Sequence, residues 1–355
     1  MNRLVQSAAF AALVCFVIGR ANGEPPKEKP MGRQLDMPAP SAESGNTYAR
    51  GISAVLAYLG ADINYDRVMG LTGVAFILQV DTSGPFIEKE LDCAWWPNDP
   101  WGFDLGLPVL SKAAGWKIRA IRCDEAVYRA DPAAEYRRAF APAVEQSLKA
   151  GQPVLAKTAH CFIVTGIDDQ EPPLLGYGTR GKSTQFLQNT MRIDRYPWGV
   201  YVIGEKTTAG SSAEVDLASL RHIIALFNEK AQGSDVPKTR FSGRQAWAEW
   251  LRLLRSGSAA DNNMLIHLRY NRRSAVTYLR DMAGRHDGKA ATHLAAAADL
   301  YQRALDDLLA GELPYPGPTK GGRAAYTAMV ERVSKLEAEA TAELEAVAAG
   351  LGDKP

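Results

Sequence analysis

His160 is the only histidine in the first half of the chain, and it directly precedes the apolar run Cys161 to Thr165, which reads as a strand. Upstream, Thr47 opens a segment in which Ile52, Val55, Leu56 and Leu59 recur at helical spacing before Gly60 as a stop. A nucleophile at a helix N-terminus, facing a histidine on a neighbouring strand, is the arrangement of nucleophilic acyl transfer. The helix dipole favours the attacking anion, the imidazole accepts its proton, and a third polar group orients the imidazole. In that reading Thr47 is the candidate nucleophile and His160 the candidate base. A threonine hydroxyl at a helix start is far more often a cap than a nucleophile, and Asn46 or Thr47 could serve as that cap. Cys161 follows His160, so strand alternation sends the two side chains to opposite faces. Asp168 and Asp169 read as a turn between strands.

The stretch CAWWPNDPWGFD (93–104) is aromatic and rich in turn residues. Trp95, Trp96 and Asp99 in this loop, with Tyr48 beside Thr47, form the expected wall of a ligand-binding cleft. Arg269, Arg272 and Arg273, with Tyr270, share one helix and read as a solvated face. His267, His286 and His293 lack the spacing of metal ligands, and the chain has no phosphate-binding loop, dinucleotide fingerprint or HExxH. No metal and no cofactor are expected.

The elements that carry these residues follow from composition and pattern. The 355 residues are 46% hydrophobic and 23% charged, ordinary globular values that exclude a mostly disordered chain. A net charge of only +1 gives no support to a nucleic-acid partner. Residues 1–23 combine Arg3, an apolar stretch from Leu4 to Ile18, and small residues before Glu24, the pattern of a cleaved signal peptide. Its removal takes Arg3 and Arg20 and brings the net charge to −1. The expected location is therefore periplasmic or extracellular, with no stable membrane span after cleavage. In that oxidising setting Cys93 and Cys123 could pair, closing a loop of about 30 residues and stabilising by roughly 3–4 kcal/mol. Three small buried thiols, Cys93, Cys123 and Cys161, are the alternative.

Residues 24–45 hold five prolines and no apolar period, and read as a tether. From 46 to 206, helical patterns come first and short strand candidates afterwards: Pro153–Lys157, Cys161–Thr165, Pro173–Tyr177, Thr184–Arg192 and Gly199–Ile203. That order predicts an α+β fold with an antiparallel sheet. Pro132–Ala150 reads as one helix. Beyond 212 strand signals vanish: a capping-box pattern at Ser242 to Gln245 opens one helix, and long helical patterns follow over roughly 260–284, 289–310 and 321–348. Residues 212–350 are expected to be an all-α helical bundle.

The stretches NTYARGISAVLAYLGADINYDRVMGLTGVAFILQ (46–79), GQPVLAK (151–157), HCFIVTGIDD (160–169) and YPWGVYVIGEK (196–206) resemble one family. It is the group of the N-terminal domain of butirosin biosynthesis protein H, similar in fold to the double-glycine, bacteriocin-processing cysteine peptidases. The segments GRQAWAEWL (243–251) and AAADLYQRALDDLL (296–309) resemble the bundle that accompanies such domains. The resemblance implies a papain-like fold over 46–206 and acyl transfer at a cysteine, either peptide cleavage or transfer of an acyl group to an amine. The position matching the nucleophilic cysteine is Thr47, and no cysteine stands between 16 and 92. No glutamine lies in 38–46 for an oxyanion hole, and the strand around Gly176 carries no carboxylate to orient His160. The expectation is an exported papain-like protein without thiol catalysis, whose cleft binds a peptide or small acylated ligand. Two alternatives are an active hydrolase or acyltransferase rearranged around His160, and an interaction protein acting through its helical bundle.

Overall fold

A computed structural model describes residues 34–81, 102–123, 125–158, 160–179, 184–228, 240–257, 262–310 and 320–352. The expected signal peptide, Cys93, Trp95, Trp96 and Asp99 lie outside the described residues.

Helix α1 (Thr47–Tyr58) starts where the Asn46 side chain accepts the Ala49 N–H at 2.9 Å, so Asn46 is the cap and Thr47 the first helical residue. Helix α2 (Tyr65–Leu71) is capped in the same way by Asn64. The apolar run Val74 to Leu78 coils through tight turns, all five residues buried, and leads into β1 (Gln79–Asp81). A short 3₁₀ turn (Gly102–Gly106) precedes α3 (Leu107–Ala114) and β2 (Trp116–Arg122). Helix α4 (Glu125–Ala130) follows. The single helix expected over 132–150 is three pieces: α5 (Pro132–Glu135), a π-helical turn (Tyr136–Phe140) and α6 (Ala141–Lys149). Pro142 explains the break, because its ring nitrogen cannot donate to the preceding turn.

Strands β3 (Val154–Lys157), β4 (Cys161–Ile167), β5 (Leu174–Tyr177), β6 (Met191–Arg192) and β7 (Gly199–Lys206) complete a six-stranded sheet. Its order is β2-β7-β3-β4-β5-β6 and every pairing is antiparallel, as the order of elements predicts. The candidate strand 184–192 shrinks to two residues plus an isolated bridge from Thr179 to Phe186. Asp168 forms the expected turn between β4 and β5, held by its ion pair with Arg192 at 2.5 Å. Residues 34–45, read as the end of a tether, instead lie against the sheet. The Leu35 N–H donates to the Thr165 carbonyl at 2.7 Å, and the Tyr177 hydroxyl to the Met37 carbonyl at 2.8 Å.

The remaining elements are α7 (Ser212–Phe227), β8 (Arg240–Ser242), α8 (Gly243–Arg255), α9 (Asn262–Ala283), α10 (Gly288–Ala310) and α11 (Lys320–Gly352). The capping box forms at Ser211 and Glu214, at the start of α7; Ser242 stands at the N-cap of α8 without a capping bond. Strand β8 pairs with β1, Val80 opposite Phe241, and corrects the all-helical reading beyond 212. Three residues are too few to show a period. Among the described residues no helix is long and apolar enough to cross a membrane.

Strand alternation divides the core. Leu155, Cys161, Ile163, Tyr201 and Ile203 face α1, and that core continues into Tyr278, Tyr301 and Leu344 of the helical half. Val154, Ala156, Phe162, Val164 and Val200 face the other way, onto Tyr136, Phe140 and Val144. A third cluster, around Trp247 and Trp250, fills the bundle. Arg272 departs from its solvated reading: it is fully buried, bonds Glu337 through two nitrogens at 2.5 and 2.9 Å, and donates to the Ala75 and Ile77 carbonyls at 3.0 and 3.1 Å. It fastens the 74–78 turn to α11.

Candidate functional site

The site lies at the edge of the sheet where β3 ends and β4 begins. The first turn of α1 is laid against this edge, so Thr47 meets Cys161 where the sequence places nucleophile beside base. The Thr47 hydroxyl accepts the backbone N–H of Cys161 at 3.0 Å and is fully buried. Cys161 turns its sulfur towards Gly51 of α1, and burial pushes its thiol pKa upward, away from the reactive thiolate. Both groups therefore fasten α1 to the sheet, and neither is offered to solvent.

His160 is not hydrogen-bonded to Thr47 among the described residues. It lines a cavity of about 100 Å³ with Phe162 and Ile193, both members of the core on the face away from α1. Its carbonyl accepts the Thr158 hydroxyl at 2.5 Å. Its Nδ1 is buried and has no hydrogen-bond partner among the described residues. Thr179, Asp194 and Arg195 complete the polar part of the lining. Asp194 and Arg195 are both largely exposed at the side chain, and clasp one another through contacts of 3.1 and 3.3 Å. Cys161 belongs to the core on the α1 side, and His160 lines the cavity with members of the opposite core, a cavity that Cys161 also borders.

Tyr48, expected on a cleft wall, is buried. Its hydroxyl donates to the Thr158 carbonyl at 2.8 Å, and its ring meets Tyr201 edge-on with centroids 6.1 Å apart. Cys123 is buried with its sulfur 3.1 Å from the Trp198 carbonyl oxygen; its proposed partner Cys93 is outside the described residues.

Sequence reasoning missed a charged group on the α1 face of the same edge. Lys157 stands opposite Cys161 across β3 and β4, and the next strands bring Tyr201 and Arg122 to the same face. All three converge on Asp104 of the 3₁₀ turn: Arg122 at 2.5 Å, Lys157 at 3.2 Å, and the Tyr201 hydroxyl on the second oxygen. Lys157 and Asp104 are buried. Burial alone would raise the Asp104 pKa, but the charges of Lys157 and Arg122 and the Tyr201 hydrogen bond outweigh it and hold the carboxyl below its ordinary value. The one signal in sequence was a lysine closing the otherwise apolar Pro153–Lys157 strand.

Among the described residues no three His, Cys, Asp or Glu side chains gather as a metal site. The chain matches no protein-family model and no curated protein.

Proposed function

We propose that this is an exported protein of papain-like architecture that binds a peptide or small acylated ligand at the β3–β4 edge without catalysing its cleavage or transfer. What supports the architecture is a helix N-terminus laid on the first residue of a central strand of an antiparallel sheet, with a histidine immediately before that strand. The observation that carries the function is Thr47. The residue at the helix tip is fully buried and its hydroxyl already accepts a hydrogen bond from Cys161, so it cannot reach an acyl carbon. Binding falls to the cavity at His160, which offers hydrogen-bonding groups beside apolar walls. The signal-like pattern of residues 1–23 supports export.

The test is intact-mass labelling of the purified chain with one thiol-reactive and one hydroxyl-reactive electrophile, alongside His160→Ala. A binding protein shows slow labelling that the variant leaves unchanged. Rapid modification that disappears in the variant would establish a rearranged catalytic site and overturn this reading.

A further inference from the structure

Residues 34–45 lie on the sheet ahead of the first helix, with neither helix nor strand of their own. Of these twelve residues only Met37, Pro40 and Gly45 are buried. The middle of the segment reads Met37-Pro38-Ala39-Pro40. Proline disfavours the helical region for the residue before it, which keeps Met37 and Ala39 extended. Buried anchors three residues apart match the repeat of an extended, proline-rich helix, which turns every third side chain to one side.

The groove beneath the segment is shaped to receive a backbone. Strand β4 is irregular at Thr165, where its register with β5 shifts between Val164 and Gly166. There the Thr165 carbonyl accepts the Leu35 N–H at 2.7 Å, and its hydroxyl accepts the Gln34 side-chain amide at 3.4 Å. Gly166 forms the floor, since a β-carbon on it would lie 3.2 Å from the Gln34 Cα. A glycine inside a strand marks such a close approach of a second backbone. Further along, the Tyr177 hydroxyl donates to the Met37 carbonyl at 2.8 Å, and the Gln188 amide donates to the Pro40 carbonyl at 3.0 Å.

Side chains of the groove thus hold main-chain carbonyls, which every residue type carries, and neither proline is asked for the N–H that it lacks. Selection is left to the two anchor positions. Met37 shares its buried cluster with Tyr177 and Phe186, and aromatic-lined grooves are a usual seat of proline-rich peptides. Among the described residues the segment is joined to the fold at one end only and belongs to no strand, so it can leave without breaking a strand pairing.

We propose that this groove is a binding site for extended peptides of the Met-Pro-x-Pro kind, and that residues 34–45 are its built-in occupant, exchangeable for such a segment of another protein. This goes beyond the reading of the His160 cavity and does not rest on it, because that cavity is lined by Phe162 and Ile193 of the opposite core.

The experiment uses the purified full chain, as wild type and with Met37→Asp and Pro40→Asp together. Each is titrated with a fluorescein-labelled synthetic peptide of residues 34–43 and read by fluorescence anisotropy. A charge at each anchor unseats the segment and frees the groove, whereas in the wild type the open fraction limits the apparent affinity. The double variant should bind the peptide saturably, and about tenfold or more tightly than the wild type does. A peptide that keeps only Met-Pro-x-Pro, with Ser and Gly elsewhere, should bind within about threefold of the first. Tyr177→Phe added to the double variant should weaken both peptides by about threefold to tenfold, the loss of one hydrogen bond. No saturable binding by a folded double variant overturns the proposal. A double variant that no longer folds also overturns it, since the segment is then part of the core and not an exchangeable occupant. A requirement for the whole 34–43 sequence does the same. The reading of the His160 cavity stands or falls by its own labelling test in every one of these outcomes.

Discussion

The Thr47 hydroxyl and the Cys161 backbone nitrogen, 3.0 Å apart, join the first turn of α1 to the first residue of β4. The N–H at the start of β4 is buried, and this hydroxyl satisfies it. Thr47→Val keeps the shape and removes the acceptor. The expected cost is about 1–3 kcal/mol, the range for stranding a buried donor. Thr47→Ser should recover most of it. Urea denaturation of the three proteins checks this; equal stability of Val and Thr would show that the bond is not a fastening of the fold.

Gly51 marks how closely α1 is laid on the sheet. A β-carbon there would sit 2.7 Å from the Cys161 sulfur and 3.0 Å from a Leu155 methyl. In an open helix, Gly→Ala gains up to about 1 kcal/mol of propensity, but overpacking of this kind costs about 1–3 kcal/mol. Gly51→Ala should therefore destabilise. Trimming the neighbour relieves the clash, so Gly51→Ala with Cys161→Ala should be more stable than the sum of the single changes. Thermal unfolding of the four proteins tests it, and strict additivity would sink the argument.

Much of this arrangement was legible in the sequence where a local pattern decided it. The 3.6-residue spacing of Ile52, Val55 and Leu56, with Asn46 ahead of it, is α1 as found. The run of short strands gives the antiparallel sheet. The separation of Cys161 from His160 follows from alternation alone. What failed depended on distant partners. Arg272 looks like any helix-surface arginine until Glu337, 65 residues away, and two carbonyls of the 74–78 turn are brought to it. Asp104, Arg122, Lys157 and Tyr201 are scattered along the chain, Asp104 and Tyr201 97 residues apart, and meet only because β2, β7 and β3 are neighbours. Strand β8 has no pattern of its own and exists because β1 lies beside it.

The Asp104 group predicts an acid-sensitive tie. Because the folded carboxyl has a lowered pKa, its stabilisation is present above the ordinary aspartate value of about 3.9 and is lost as pH falls through the depressed folded value. Asp104→Asn removes this tie and leaves buried Lys157 without its counter-charge. The cost near neutral pH should be roughly 3–5 kcal/mol. The variant's disadvantage should begin to shrink below about pH 4, where the unfolded wild-type chain takes up the proton that the folded carboxyl still resists, and should go on shrinking towards the depressed folded value. Paired urea denaturations from pH 7 down to pH 3 measure the gap. A gap independent of pH would mean that the Asp104 charge is not the source of the stabilisation.

The Arg272–Glu337 pair allows a sharper test of why a charge is buried. Removing one partner leaves the other uncompensated in a dry core, so Glu337→Gln should destabilise by about 3–5 kcal/mol. For an isolated buried ion pair, replacing both members by apolar residues restores much or all of the stability. Arg272→Met with Glu337→Leu should not do so here. Arg272 also supplies the donors for the Ala75 and Ile77 carbonyls, and Glu337 accepts the Trp247 indole N–H at 3.1 Å. The double change strands those three groups, each at about 1–3 kcal/mol if no water reaches it. The double variant should thus remain several kcal/mol less stable than wild type in urea denaturation. Recovery to wild-type stability would show that the pair is replaceable packing and that the 74–78 turn holds its place without the guanidinium.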